Sequence, residues 1–166
     1  GLEKVHMINK LVDFSAGNEK FSFKIVYPSS IYGKGQNGKM FLPQLLDNIQ
    51  QRTLMVAYGG NKKRDFVHVK DVSHALVKLV LAYDSSARTH IFLHSFILHK
   101  IADIADIVCR ILQLDPNEII FFEDSKEDIE RDIMDFQVVS EQHCSRNGLT
   151  NTIPIFEGLE DMFVVN

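Results

Sequence analysis

Residues Arg64–Val72 read Arg-Asp-Phe-Val-His-Val-Lys-Asp-Val. The apolar run from Phe66 to Val69 predicts a short strand, and Asp71 is the kind of residue that caps the first turn of a helix. An arginine at the start of such a strand can bind an anion, because its guanidinium group forms two parallel hydrogen bonds to a phosphate. The alternative is a surface arginine that pairs with Asp65, and an exposed ion pair of that kind contributes little to stability.

Helical and strand-like patterns alternate on both sides of this stretch. A helix is expected to begin at Asp71, and apolar residues recur at helical spacing in Leu2–Phe14, Met40–Ile49 and Lys100–Leu114. Short alternating, β-branched or aromatic runs predict strands at Phe21–Tyr27, Leu54–Tyr58, Thr89–Leu93 and Ile119–Phe122. The alternation favours an α/β layered fold, and the tail from Phe136 to Phe163 adds short helices.

The composition indicates one compact protein without a polyanionic partner. The 166 residues, 45% of them apolar, suffice for one sizeable core and are too few for two ordinary domains. The net charge is −4 and the isoelectric point is near 6.0, so there is no broad basic field for a nucleic acid or an anionic membrane. The most apolar helical stretch, Ala75–Tyr83, is interrupted by Lys78 and is too short to span a bilayer. We expect neither a nucleic-acid partner nor a membrane partner.

Cysteine and histidine spacing predicts a cytoplasmic location and no metal site. Cys109 and Cys144 are far apart in the sequence and form no Cys-x-x-Cys pair, which fits a reducing compartment. The pair His94 and His99 lacks a third ligand at a suitable spacing. The histidines are therefore expected to fill ordinary surface or core positions.

Four motifs follow one another in the middle of the chain. They are Tyr32–Gln36, which reads Tyr-Gly-Lys-Gly-Gln, then Phe41–Pro43, Tyr58–Gly60 and the Arg64–Val72 stretch. As an ordered set they resemble the NAD-dependent nucleotide-sugar epimerases and dehydratases, which are extended short-chain dehydrogenases/reductases. That family has Tyr-Gly-Pro-Gly, a helix with proline near its start, Tyr-Gly-Asp-Gly and Arg-Asp-Phe-Val-Tyr-Val-x-Asp-Val in the same order. The closing Glu157–Leu159, Glu-Gly-Leu, also matches, so the resemblance covers nearly the whole chain.

The resemblance implies the C-terminal part of a Rossmann-type α/β enzyme, with the last sheet elements joined to a small substrate-binding lobe. Residues 1–33 would end the Rossmann core, and residues 34–166 would form mostly the substrate lobe. Gly33, Gly35 and Gly38 follow a strand but cannot complete the phosphate-binding turn of a βαβ unit. The complete enzyme would hold NAD or NADP. This chain alone is expected to hold neither, and its partner would be an N-terminal Rossmann half.

The resemblance also places one catalytic residue in this chain. The family motif Tyr-x-x-x-Lys puts its lysine at Lys4 and its tyrosine before Gly1. Lys4 would hydrogen-bond the cofactor ribose and lower the pKa of that tyrosine, so that the phenol can transfer protons near neutral pH. The alternative for Lys4 is an exposed cation on the first helical turn. Tyr27 and Pro28 would border the cofactor, and Tyr27 stands where the family commonly has arginine.

Three polar residues match positions that bind the nucleotide sugar in the family. Arg64 and Arg131 would contact its diphosphate, and Ser30 would replace an asparagine with a shorter and weaker contact. Arg131 lies among acidic residues, so the alternative is that it only neutralises neighbouring carboxylates.

Four apolar or aromatic residues match other parts of the same cleft. Val56 and Tyr58 would lie near the nucleotide base, and Met40 and Phe41 would line the cleft at the start of their helix. Stacking on a base explains these residue types, and simple packing into the core explains them equally well. Both interpretations stay open at this point.

The implied function is the binding of a nucleoside-diphosphate sugar, which the complete enzyme would oxidise with NAD and then epimerise, dehydrate or decarboxylate. The alternatives are a non-catalytic binding or interaction protein on the same scaffold, and a reductase that acts on a non-sugar carbonyl. This chain alone is expected to be inactive, because the NAD-binding half and the catalytic tyrosine lie outside it. The strand at Phe21–Tyr27 is then expected to lack the neighbours that the N-terminal half would provide, and its exposed apolar edge invites pairing with a second copy in a homodimer.

Overall fold

The computed structural model describes residues 2–84, 90–123 and 152–163. The helices in these ranges are α1 (Leu2–Ala16), α2 (Phe41–Gln51), α3 (Val69–Leu81), α4 (Ile101–Ile111), α5 (Pro116–Ile119) and α6 (Ile155–Phe163). The strands are β1 (Ile25–Pro28), β2 (Ser30–Tyr32), β3 (Met55–Tyr58), β4 (Lys63–His68), β5 (His90–Leu93), β6 (Leu98–Lys100) and β7 (Ile120–Glu123). Helices and strands alternate, which confirms the predicted α/β class. Across these ranges no helix combines the length and apolar character needed to cross a membrane.

Parallel pairing predominates among the strands, as expected when helices connect them. β1 pairs with β5, β3 pairs with β7 and β2 pairs with β4, all in parallel. β4 also pairs antiparallel with β6, so it is the central strand of a three-stranded sheet. The Arg64–Val72 stretch therefore supplies most of this central strand and the first turn of the helix that follows it.

Strand boundaries differ from the prediction in several respects. The strand predicted at Phe66–Val69 runs from Lys63 to His68, and Val69 begins α3. The strand predicted at Phe21–Tyr27 begins only at Ile25 and extends to Pro28. The sequence patterns do not predict β2 or β6, because each strand has three residues and shows too few side chains for an alternation.

His68, and not Asp71, caps α3. The Nδ1 atom of His68 accepts a hydrogen bond from the Lys70 amide at 3.3 Å. Asp71 lies inside the first turn of the helix and is buried. Its carboxylate accepts a hydrogen bond from the Ile153 amide at 2.8 Å. Asp71 therefore holds the segment that precedes α6 against α3.

Two apolar clusters join the described elements. The larger cluster lies among α2, α4, α6 and the inner faces of β3 and β7, and it includes Leu45, Ile104 and Leu159. The smaller cluster joins α3 to β4 and β5 and includes Val67 and Leu93. A fully buried aliphatic side chain of this kind contributes about 1.5–3 kcal/mol to the free energy of unfolding.

α1 and the C-terminal half of α3 leave apolar side chains in water. No residue of α1 is buried, although Leu2, Val5 and Val12 give the helix an apolar side. Leu81 at the end of α3 is 82% exposed. Within the described ranges β1 pairs with β5 alone, so its other edge has no strand beside it. That the Phe21–Tyr27 strand lacks neighbours from an N-terminal half stays a prediction.

The C-terminal end of α2 provides a test of backbone geometry. Arg52 follows the helix with φ 53° and ψ 44°, a left-handed conformation that glycine adopts at lower cost. Arg52→Gly is expected to raise the free energy of unfolding, measured by urea denaturation, by about 0.5–1 kcal/mol. Gln51→Gly in the last helical turn is the control and should lower this free energy by a similar amount. If both substitutions raise or both lower the free energy of unfolding, Arg52 does not have the left-handed conformation.

Candidate functional site

Arg64 and Ser30 lie on the same face of the sheet formed by β2, β4 and β6. Ser30 is the register partner of Phe66, and Arg64 precedes Phe66 by two residues in β4. Side chains two residues apart in a strand share a face, and strand geometry places the Cα atoms of Ser30 and Arg64 about 8 Å apart. His99 of β6 is the register partner of Arg64 and adds an imidazole ring to this face. A guanidinium group, a hydroxyl group and an imidazole, all half-buried, therefore share one side of the sheet.

Asp65 points to the opposite face and is almost fully buried. Its carboxylate accepts hydrogen bonds from the Ser95 hydroxyl at 2.6 Å and from the Ser95 and Phe96 amides at 3.0 and 3.1 Å. The Nδ1 atom of His94 lies 3.4 Å from the same carboxylate. Burial alone raises the pKa of Asp65, but these hydrogen bonds outweigh burial and hold the pKa below its ordinary value. Asp65 therefore fixes the loop after β5 to the middle of β4.

Val56 and Tyr58 occupy the outer face of the β3–β7 pair. They alternate along β3 with Met55 and Ala57, which belong to the larger apolar cluster or pack against it. The side chains of Val56 and Tyr58 are 53% and 69% exposed. Packing into the core therefore does not explain these two residues.

Met40 and Phe41 stand at the start of α2 and differ in environment. Met40 is the N-cap residue, and half of its side chain is exposed. Phe41 packs against the larger cluster, and its ring centroid lies 6.5 Å from that of Phe122 in β7. Core packing thus accounts for Phe41 but not for Met40, and α2 begins beneath the β3–β7 pair.

Tyr27 and Pro28 lie at the C-terminal end of β1. The Tyr27 hydroxyl oxygen is 3.0 Å from His90 Nδ1, and the Tyr27 ring stacks on Phe92 with centroids 4.8 Å apart. Parallel sheets commonly bind ligands beyond the C-terminal ends of their strands, which is where Pro28 is exposed. Lys4 is exposed on α1, outside this strand pair.

The glycines after β2 do not form a phosphate-binding turn. Gly33 has a φ of 145°, and a Cβ atom at this position would lie 2.5 Å from Val69 Cγ1 at the start of α3. Glycine is needed there because α3 packs closely against the chain. The next helix begins only at Phe41, so Gly35 does not lead directly into a helix N-terminus.

A buried polar cluster between β2, β4 and α6 is not evident from the sequence patterns. Tyr32 and His68 are register partners, and their rings meet edge to face with centroids 5.1 Å apart. His68 Nε2 lies 3.7 Å from Asp161, which also pairs with Lys70 at 2.9 Å. Burial and the charge of Lys70 lower the pKa of His68, and burial raises the pKa of Tyr32. Gly158 of α6 is required because a Cβ atom there would collide with the Tyr32 hydroxyl.

Arg131 lies outside the described residues, so its contact with a diphosphate stays a prediction. Within the described ranges, no group of three histidine, cysteine or carboxylate side chains could hold a metal ion. Cys109 is a buried free thiol in α4.

Comparison with protein families identifies the chain. Residues 1–93, more than half of the 166 residues, match the model of the NAD dependent epimerase/dehydratase family. The chain belongs to this family. Comparison with curated proteins finds no significant match. In this epimerase/dehydratase chain, the matched range contains Lys4, Tyr27, Pro28, Ser30, Met40, Phe41, Val56, Tyr58 and Arg64.

Several solved structures share the fold of this epimerase/dehydratase chain. UDP-glucuronic acid 4-epimerase from Bacillus cereus, in complex with NAD, is 18% identical and aligns with 98% of this chain and 48% of its own, with a TM-score of 0.74. RMD from Pseudomonas aeruginosa, complexed with NADPH, is 16% identical over 90% of this chain and 50% of its own, with a TM-score of 0.67. dTDP-glucose 4,6-dehydratase from Bacillus anthracis, in complex with NAD, is 14% identical over 83% of this chain and 42% of its own, with a TM-score of 0.60. The chain has the Rossmann-type fold of these proteins and spans about half their length.

Asp65 should make the stability of the site depend on pH. Its folded pKa lies below the unfolded value of about 3.9, so the carboxylate stabilises the fold above that value, and this contribution is lost as the pH falls through the folded pKa. Asp65→Asn is expected to lower the free energy of unfolding at pH 7 by about 1–3 kcal/mol and to weaken its dependence on pH between about 2 and 5. Urea denaturation over this pH range measures both effects.

Asp47→Asn, at an exposed position of α2, is the matched control and should change neither quantity appreciably. The same pH dependence in Asp65→Asn as in the parent would show that the buried carboxylate does not carry this stability.

Proposed function

We propose that this chain is the substrate-binding portion of an NAD-dependent nucleotide-sugar epimerase/dehydratase. The family supplies the reaction class, and solved structures of the same fold are described in complex with NAD and UDP-glucuronic acid or UDP-glucose. Because the chain spans about half of those structures, binding the sugar nucleotide is the part of the reaction assigned to its own residues. In this proposal residues 1–33 end the Rossmann core, residues 34–166 form mostly the substrate lobe, and the protein acts in the cytoplasm.

The shared face of Ser30 and Arg64 is the observation that best supports the proposal. A guanidinium group can bind two phosphate oxygens at once, and a neighbouring hydroxyl group can donate a further hydrogen bond. His99, the register partner of Arg64 in β6, adds an imidazole nitrogen on the same side of the sheet. All three side chains are half-buried, so salt and water screen their interactions less than at an open surface. This side of β4 is therefore suited to a diphosphate, and Arg131 is proposed as a second contact to it.

The apolar residues of the proposed site would contact the rest of the ligand. Val56 and Tyr58 present exposed side chains on β3, and we assign the nucleotide base to this face. Met40, exposed at the N-cap of α2, would line the cleft beside it, and Phe41, which packs into the larger cluster against Phe122, would hold this helix start in place. Apolar side chains that remain in water in the free protein gain stability when a planar ligand covers them.

We propose that the described residues do not form a dinucleotide site by themselves. Gly33 packs against α3, and no helix N-terminus follows these glycines directly to receive a pyrophosphate. Lys4, Tyr27 and Pro28 would contact a cofactor only at its edge, with Lys4 positioning a tyrosine from outside this chain. We therefore assign NAD or NADP binding mainly to a separate N-terminal half, and we expect the chain alone to be inactive.

We infer that such a half packs on the apolar surfaces that are exposed to water in this chain. β1 has an open parallel edge within the described residues, and α1 and α3 expose Leu2, Val5, Val80 and Leu81. A further parallel strand beside β1 would satisfy the backbone groups of this edge, and its flanking segments would cover these side chains. A homodimer formed through the same surfaces is the alternative occupant.

Arg64→Ala tests the proposed diphosphate contact. Loss of a charge-assisted, bidentate contact costs about 1.5–3 kcal/mol, so the affinity of the chain for a UDP-, dTDP- or GDP-sugar should fall by roughly one to two decades. Isothermal titration calorimetry measures the affinity, and circular dichroism checks the fold. Lys63→Ala is the matched control, because Lys63 precedes Arg64 in β4 and points to the opposite face. A folded Arg64→Ala variant that binds as tightly as the parent would remove the main support for the proposal.

A further inference from the structure

The outer face of the β3–β7 pair carries a third apolar residue, Phe121 of β7. Phe121 is the register partner of Val56, and Glu123 is the register partner of Tyr58. Register partners in parallel strands point to the same side, so Val56, Tyr58 and Phe121 form one surface, named here the β3–β7 platform. Phe121 is 55% exposed, much like Val56.

The fold does not require a phenylalanine at position 121. Its neighbours Ile120 and Phe122 belong to the larger apolar cluster or pack against it, and they anchor β7 from the inner face. Phe121 instead leaves more than half of its side chain in water, where a polar residue would serve the strand equally well. Single exposed apolar residues are ordinary, but contiguous ones on one flat face mark a binding surface.

We propose that Phe121 completes a stacking platform for the base of the nucleoside diphosphate. This assignment rests on the proposed function and extends it to a residue of β7. Every base has an apolar face that stacks favourably on an aromatic side chain. Neighbouring strands lie about 4.8 Å apart, so a platform two strands wide is comparable in width with a base.

The charges beside the platform favour a nucleotide as its occupant over an apolar peptide or a second copy of the chain. β3 ends at Tyr58, and the following turn leads to Lys62 and then to Arg64 of β4. An apolar face that continues into two cations, Lys62 and Arg64, complements a ligand with an aromatic ring at one end and a diphosphate at the other. Glu123 lies beside the turn that joins the apolar face to the cations, because its carbonyl oxygen accepts a hydrogen bond from the Gly59 amide. Its carboxylate can accept hydrogen bonds from ribose hydroxyls.

A tryptophan at position 121 would report stacking directly. The chain contains no tryptophan, so Phe121→Trp introduces a single fluorophore on the platform. A UDP-, dTDP- or GDP-sugar should quench its fluorescence saturably, and inorganic pyrophosphate should not. Phe121→Ala should weaken binding of the same sugar nucleotide about tenfold, and Phe121→Trp should retain it. Phe156→Ala and Phe156→Trp are matched controls at an exposed phenylalanine of α6, and neither should change affinity or be quenched.

The outcomes separate this assignment from the function on which it rests. If the parent chain binds a sugar nucleotide and Phe121→Ala binds it equally well, Phe121 is not in the site and the proposed function stands. Absence of quenching in a Phe121→Trp variant that still binds has the same meaning. If the parent binds no sugar nucleotide, the proposed function and the platform fail together. Weaker self-association of Phe121→Ala with unchanged nucleotide affinity, seen by analytical ultracentrifugation, would make this face a contact between copies and overturn the assignment.

Discussion

The buried carboxylate of Asp65 is the constraint on which the rest of the candidate site depends. A buried carboxylate is costly unless hydrogen-bond donors surround it. The loop after β5 supplies these donors, namely the Ser95 hydroxyl and two backbone amides. These bonds hold the middle of β4 against the end of β5, and strand alternation then directs Arg64 to the opposite face, where Ser30 lies. They also hold Phe96 at a φ of 64°, which residues other than glycine seldom adopt.

Elements with long patterns could be predicted from the sequence, and short or context-dependent ones could not. α1 begins at the predicted residue, because a helix of 15 residues repeats its apolar spacing several times. β2 and β6 are too short to show an alternation. The cap of α3 is misassigned to Asp71 because aspartate is a common capping residue, whereas His68 caps the helix only through the orientation of its ring.

The ordered motifs identify the part of the chain that carries the candidate site, but strand register decides which residues share a face. Ser30 joins Arg64 only because β2 pairs with β4, and Phe121 joins Val56 only because β7, far along the chain, pairs with β3. No local pattern encodes such pairings. The cluster of Tyr32, His68 and Asp161 is equally non-local, and its one sequence signal is Gly158 within the Glu-Gly-Leu match.

The central claim is that this chain contains the substrate contacts without the cofactor contacts. Isothermal titration calorimetry tests it most directly. The purified 166-residue chain is titrated with NAD and, separately, with UDP-, dTDP- and GDP-sugars. Arg64, Ser30 and the exposed residues of β3 lead us to expect saturable binding of at least one sugar nucleotide. The packed Gly33 turn leads us to expect no measurable binding of NAD at micromolar concentrations. Micromolar affinity for NAD together with no affinity for any sugar nucleotide would contradict this division of the site.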